Sequence, residues 1–342
     1  MKIWRFPSTT SSSRAFRYPL GMTRPGLGAN DEHNAEPLSE LAEAMLASAP
    51  PASIPVPLNA VFSPVVRALA RRRNKGAIAD ALRRNRVSVR NTDHEGSDVT
   101  ELISRDHPRT EDDDYLVYVH GGAFVVGEPV DSISIGLTAS TGLTCFSLHY
   151  GLAPGTRFPS SLHQIEKAWD AVTSGRSGRP VLVATSAGAN LALGVLQQLL
   201  LRDDAAAPLP AAVVLFSPAA DLHEFDSARL VNEGLDPVVK WHGMLDKALP
   251  AYLDGHDPDD PRASPIMGDF TGLTVPTLLV TAGRDLLRPD VLSLARRLEH
   301  QGVPIEVDDA AGLWHAYQQV PTPETAASLE RVRRFVSTHL SA

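Results

Sequence analysis

Residues 180–190 read P-V-L-V-A-T-S-A-G-A-N. The aliphatic run Val181, Leu182 and Val183 leads into small residues around Ser186, and the apolar segment Leu191–Leu201 follows with no Pro and one internal Gly. That order predicts a buried parallel strand, a sharp turn and a helix. A serine at such a turn takes a strained backbone conformation, and only small residues two before and two after it avoid a clash; here they are Ala184 and Gly188. The turn lifts the hydroxyl above the sheet and sets it over free N–H groups at the positive end of the helix dipole. Ser186 is therefore the candidate nucleophile, against the plainer reading of a turn serine.

Outward from this stretch, strands and helices alternate. Tyr115–His120 is an apolar strand ending at H-G-G-A-F, followed by a helix from about Asp131, strand Thr144–Leu148 and helix Ser161–Thr173. After strand Val181–Thr185 and helix Ala187–Arg202 come strand Ala212–Ser217, strand Thr277–Thr281, helix Pro289–Gln301, strand Ile305–Asp309 and helix Thr322–His339. The succession predicts an α/β fold with a mostly parallel sheet wrapped by helices on both faces. Ligand sites in such folds lie at the carboxyl ends of the strands. Upstream, Val87–Asn91 and Val99–Ser104 read as strands joined by a turn at His94–Gly96; before them, helices are expected at Glu36–Ser48, Ala60–Arg72 and Ile78–Arg84, with a Pro-rich break at 50–57. The expected organisation is an N-terminal extension over 1–30, cap helices over 31–85, core over 86–220, a cap insertion over 221–273 with helices at Ser227–Gly234 and Val238–Tyr252, and core over 274–342.

Composition narrows the partners. A net charge of −8 and 43% hydrophobic residues describe an ordinary globular chain, without the basic surface that nucleic acid or an anionic membrane would need. The single cysteine, Cys145, excludes an intrachain disulfide framework and a Cys-based zinc cluster. No stretch is apolar enough to span a bilayer. Residues 1–30 are Arg- and Ser-rich without an acidic residue, yet lack the apolar core of a secretory signal. A surface-draped extension is the simpler reading than a transit peptide, and the expected location is cytoplasmic.

His120-Gly121-Gly122-Ala123 lies 66 residues before Ser186 at a strand end. Successive glycines let a chain bring bare N–H groups to a substrate oxygen, so Gly121 and Gly122, with Ala187 after the serine, form a candidate oxyanion hole. A serine hydroxyl needs a base. Of twelve histidines, His315 is preferred, because its loop G-L-W-H-A-Y follows the final strand and reaches the same sheet edge. His300, His256, His339, His242 and His223 fall on a helix, near the terminus or in the insertion. Asp285, just after strand Thr277–Thr281, is the expected orienting carboxylate; Asp290 is the runner-up, though more simply a helix-start charge, and Asp308 and Asp309 are weaker candidates. The order Ser…Asp…His is that of α/β-hydrolases.

Six stretches in order resemble the hormone-sensitive-lipase branch of the α/β-hydrolase esterases: H-G-G-A-F (120–124), Y-G-L-A-P-G-T-R-F-P (150–159), A-T-S-A-G-A-N (184–190), S-P-A-A-D-L (217–222), G-R-D-L-L-R (283–288) and the His315 loop. The resemblance implies an eight-stranded sheet with a two-part helical cap, and ester hydrolysis without metal or cofactor. It also implies a Ser186–Asp285–His315 triad with donors from Gly121, Gly122 and Ala187, a substrate wall that includes Ala123, Phe124, Thr185 and Trp314, and a homodimer as partner. The chain departs from the family at Ala184 and Ala123, where Gly is usual, and at Ala316-Tyr317, where Gly-Phe is common. The expected substrate is a small-molecule ester with a short to medium acyl group, since a cap of two small helical pieces should enclose a limited pocket. The rivals are a hydrolase of a specialised ester, lactone, carbamate or amide, and a binding protein that has lost catalysis.

Overall fold

Continuous aliphatic runs form the centre of one eight-stranded sheet. The computed structural model describes residues 37–48, 63–107, 113–202, 208–223 and 229–341. The expected extension over 1–30 and the Pro-rich break lie outside the described residues. Strands β1 (Val87–His94) and β2 (Ser97–Ser104) pair as an antiparallel hairpin, and β2 pairs antiparallel with β4 (Cys145–Leu148). All other pairs, among β3 (Tyr115–Val119), β4, β5 (Pro180–Thr185), β6 (Ala212–Phe216), β7 (Thr277–Ala282) and β8 (Ile305–Ala310), are parallel. In the order β1-β2-β4-β3-β5-β6-β7-β8 the strands make a mostly parallel sheet, which matches the sequence reading.

Every residue of β3, β5, β6 and β7 is buried, which is why these strands read as unbroken hydrophobic runs. Their side chains alternate between two cores. Leu182 and Ala184 face a cluster built with Leu162 and Trp169 of α4 (Ser160–Thr173), Leu191 and Leu196 of α5 (Ala187–Leu200) and Leu294 of α7 (Arg288–His300). Val181 and Val183 face the other cluster, built with Ile133 of α3 (Ser132–Thr141) and Phe335 of α8 (Pro323–Leu340). Each large aliphatic side chain buried this way is worth about 1.5–3 kcal/mol, so slipping β5 by one residue would exchange both cores.

Two helical expectations change. The stretches expected as separate helices over 60–72 and 78–84 form one helix, α2 (Ser63–Arg84). Gly76 sits inside it with open space around its Cα, so it weakens the helix by about 1 kcal/mol without breaking it. The stretch expected as one helix over 238–252 is broken instead. His242 leaves helical geometry and Gly243 takes φ +82°, closing a wide turn (Trp241–Leu245) ahead of α6 (Asp246–Leu253). Within Ser227–Gly234 the described part is a single short 3₁₀ turn, Arg229–Asn232. The first helix, α1, covers Glu40–Ser48 and is tied to α8 by Glu324, which accepts from the N–H and hydroxyl of Ser39 at 2.7 and 2.8 Å. No helix among the described residues is long and apolar enough to cross a membrane.

Candidate active site

Ser186 stands at the junction of β5 and α5 with φ +53° and ψ −118°, a left-handed strain at a residue that is not glycine. Its N–H donates to Phe216 O at 2.8 Å, and its carbonyl accepts from Asn190 and Ala219, both at 3.2 Å. The small residue two positions on is dictated by β3. A Cβ on Gly188 would stand 2.3 Å from the carbonyl oxygens of both Val119 and His120. The first turn of α5 therefore packs directly on the strand end that carries H-G-G.

That strand end is equally constrained. A Cβ on Gly121 would come within 3.0 Å of Thr185 O and 3.2 Å of Ser186 Cβ, and Gly122, at φ +123°, would drive one into Val126 O at 2.0 Å. Among the described residues, no hydrogen bond uses the main-chain N–H of Gly121, Gly122 or Ala187. His120 does not face the serine as a base. Its ring stacks on Tyr150 at 4.4 Å, its Nδ1 meets Gly121 O at 2.8 Å, and Tyr150 Oη donates to His120 O at 2.8 Å. Burial pushes the His120 pKa down to about 4, so the ring is neutral and Nδ1 carries the donated proton.

The loop after β8 brings His315 to the serine. Its Nε2 lies 2.9 Å from Ser186 Oγ, and its Nδ1 lies 2.9 Å from Asp285 Oδ1. Asp285 is fully buried and accepts from Leu287 N–H at 2.9 Å and from the Thr281 hydroxyl at 3.3 Å. Burial alone would raise the Asp285 pKa, but the His315 charge and the hydrogen bonds from His315, Ser217 and Leu287 hold it below the usual carboxylate range. For His315 burial works downward, and the charge and hydrogen bond of Asp285, with the charge of Asp236, carry the pKa above the ordinary histidine value. The carboxylate on Nδ1 keeps the proton there and leaves the Nε2 lone pair for the serine hydroxyl.

The competing residues go elsewhere. Asp290 sits in the first turn of α7, Asp309 pairs with Arg288 at 2.6 Å, and Asp308 lies 3.5 Å from Arg331. His223 lies between Asp221 and Asp259, His242 meets Glu233, His256 meets Leu253 O, and His300 and His339 are in the last turns of α7 and α8.

A cavity of about 1260 Å³ opens onto Ser186 and His315. Ala123, Phe124 and Thr185 line it, as do Gly121, Gly122 and Ala187. Trp314 does not: it is buried with Leu313 and Tyr317 in the core between the sheet and α8. One wall is apolar, with Leu222, Val239, Trp241 and Leu249, and another is formed by α2. Arg67 of α2 donates to Val125 O at 2.9 Å, Leu152 O at 3.0 Å and Ala153 O at 2.6 Å, bracing the loop that continues from Gly122.

The sequence reading missed Ser217, Asn232, Asp236 and Arg67. Ser217 had a signal, since it directly follows β6 at the same edge of the sheet as Ser186 and opens the S-P-A-A-D-L stretch. The others come from segments with no motif, and their partners lie some fifty or more residues away. Asp236, Asp285 and His315 bring ligand atoms within 4.8 Å of one another, and each is also engaged in hydrogen bonds within the chain.

Comparison with known proteins bears on the fold and the class of reaction. The model of a family described by the alpha/beta hydrolase fold matches residues 116–319. An acetyl-hydrolase of Streptomyces hygroscopicus is 33% identical over 239 residues, covering 68% of this chain and 78% of the relative. An ethyl acetate hydrolase of Pseudomonas putida is 27% identical over 220 residues, covering 60% and 66%. Among solved structures, esterase E25 superposes with a TM-score of 0.75 at 26% identity, covering 89% of this chain and 94% of that one. An esterase of the bacterial hormone-sensitive lipase family gives 0.68 at 25% identity, covering 75% and 85%. The chain belongs to the alpha/beta hydrolase fold family, in its hormone-sensitive-lipase branch, and is a carboxylic-ester hydrolase.

Proposed function

We propose that the protein cleaves esters of short to medium acyl chains through an acyl-enzyme, with Ser186 as nucleophile, His315 as general base and Asp285 as the carboxylate that orients it. The observation that carries this is the unbroken line from Ser186 Oγ to His315 Nε2 and from His315 Nδ1 to Asp285, each step 2.9 Å. His315 takes the hydroxyl proton as Ser186 attacks the ester carbonyl, and the developing oxyanion turns toward the N–H groups of Gly121, Gly122 and Ala187. His315 then protonates the leaving alcohol, and in the second half it activates water to release the acid. Each oxyanion donor is worth about 10²–10³ in kcat. No step calls for a cofactor.

The walls that α2 and residues 221–273 give the cavity support their reading as a two-part cap. The limited pocket expected of so small a cap is not what they enclose. At about 1260 Å³ the cavity exceeds the roughly 300–1,000 Å³ of an ordinary ligand site. The acyl preference therefore rests on the relatives named for acetyl esters. The spare volume favours a bulky leaving group, which also suits the alternative of a specialised ester or amide. Phe124, Thr185 and Ala123 would contact the substrate.

Steady-state hydrolysis of p-nitrophenyl acetate, butyrate, octanoate and palmitate, with Ser186→Ala alongside, tests the proposal. Turnover concentrated on the first two or three esters and lost in the variant is expected. Turnover that survives in Ser186→Ala removes the nucleophile, and palmitate outpacing butyrate removes the acyl preference.

A further inference from the structure

Asp236 lies in the insertion between β6 and β7, 1% exposed, with no catalytic role in the scheme above. A carboxylate so buried persists only where donors compensate it. Its Oδ1 accepts from the N–H of Val238 at 2.8 Å and of Val239 at 3.2 Å, and both residues line the cavity. Its Oδ2 accepts from the N–H of Leu286 at 2.9 Å, the residue immediately after Asp285. Asn232, from the same segment and also buried, donates Nδ2 to Gly283 O at 3.1 Å and to Asp285 O at 2.7 Å. Two side chains of the insertion thus grip the main chain on either side of Asp285.

We propose that Asp236 is a positioning residue of the reaction centre: it ties the wall of the substrate cavity to the loop that carries Asp285, and it places a second negative charge beside His315. The inference rests on the reading of Ser186, His315 and Asp285 as the catalytic line.

Two features set Asp236 apart from a merely structural acid. Its carboxylate, that of Asp285 and the His315 ring converge within 4.8 Å, so it feels any charge that forms on the imidazole. The charged groups acting on His315 are Asp285, from the loop after β7, and Asp236, from the insertion; those acting on Asp236 are His315 and Asp285. When His315 takes the serine proton, both carboxylates face the imidazolium. Loss of the Asp236 charge destabilises that cation, which lowers kcat and moves the His315 titration to lower pH. Loss of Asn232 loosens the same loop without changing any charge.

The test compares wild type, Asp236→Asn, Asn232→Ala and Ser186→Ala on p-nitrophenyl butyrate across pH 5–9. Asp236→Asn is expected to lower kcat about tenfold or more, with KM little changed and the acid limb of kcat/KM displaced downward. Asn232→Ala is expected to lower kcat with the limb in place. Wild-type kcat and an unmoved limb in Asp236→Asn overturn the proposal. Should that variant not fold, Asp236→Glu decides. It keeps the charge but overreaches the three N–H groups, so kcat must fall at least threefold while the limb stays, and a displaced limb or full kcat overturns the proposal. Ser186→Ala separates the two readings. If it still turns over, the catalytic line itself is wrong; if it is dead while Asp236→Asn behaves as wild type, only the role of Asp236 is lost.

Discussion

Ser217 Oγ accepts the main-chain N–H of Ala316 at 3.0 Å, pinning the residue next to His315 to the end of β6. The same hydroxyl donates to Asp285, so one side chain aligns both the His315 loop and Asp285. Ser217 holds this post at φ +47°, a strained conformation maintained by its N–H bond to Val280 O at 2.7 Å.

Ser217→Ala leaves the buried N–H of Ala316 unpaired and takes a donor from Asp285. An unsatisfied buried group costs about 1–3 kcal/mol. Urea unfolding is expected to show a loss of that size, with kcat down about tenfold and KM within twofold of wild type. An unchanged kcat would mean that His315 is held well enough by its other contacts.

The elbow makes a paired prediction. A methyl group on Gly188 meets two carbonyl oxygens at 2.3 Å, and neither can retreat without moving β3. Gly188→Ala is expected to cost about 1–3 kcal/mol or more, the penalty of overpacking a rigid core, and to remove activity by displacing Gly121 and Gly122. Ala184→Gly restores the residue usual in the family and meets no such barrier. It should keep kcat within twofold while losing about 0.5–1 kcal/mol to the flexibility of glycine in a strand. Circular dichroism melts and butyrate turnover check both.

The pH profile follows from the charge around His315. In the proposed role of base His315 must be neutral to accept the serine proton, and burial, which lowers its pKa, is outweighed by Asp285 and Asp236. Activity should therefore rise with pH through a limb lying above the ordinary histidine value. Asp285→Asn removes the nearer charge and frees the tautomer, so the limb should move down and kcat fall by about 10⁴, the scale seen where a triad carboxylate becomes an amide. A limb that stays in place would point to another titrating group.

Much of this site was legible because it is local. Strand, turn and helix around Ser186 are written in eleven consecutive residues, and H-G-G announces itself at a strand end. Chain order and the strand ends then single out Asp285 and His315, since the carboxyl edge of a parallel sheet gathers whatever follows its strands. What sequence could not give depends on distant partners. Asp236 and Asn232 meet the Asp285 loop across some fifty residues of insertion, and nothing in L-V-N-E-G-L-D marks them as its clamp. Trp314 adjoins His315 in sequence yet points the other way, because the turn that delivers the histidine to the cavity sends its neighbour into the core. The break at Gly243 was hidden by flanking residues that suit a helix.

Arg67 gives the last prediction. It reaches from α2 to three carbonyl oxygens, two of them on the Leu152–Ala153 turn and the third on Val125, close behind Gly122. The N–H of Ala153 closes the link by donating to Phe124 O at 2.8 Å. Burial, and then the charge of Arg71, lower the Arg67 pKa, but a guanidinium remains charged, and its planar fork serves carbonyls at separate angles as an ammonium cannot. Arg67→Lys should therefore unsettle the loop bearing Gly121 and Gly122 although the charge is kept. The expected result is a kcat about tenfold lower on p-nitrophenyl butyrate with only a small drop in melting temperature, because Arg67 itself is only half-buried, at the edge of the core that holds Val125 and Ala153. If kcat holds and KM alone rises, α2 acts only as a wall of the cavity. If kcat falls only in step with a large drop in melting temperature, the bonds to Leu152 and Ala153 matter more for folding than for the loop bearing Gly121 and Gly122.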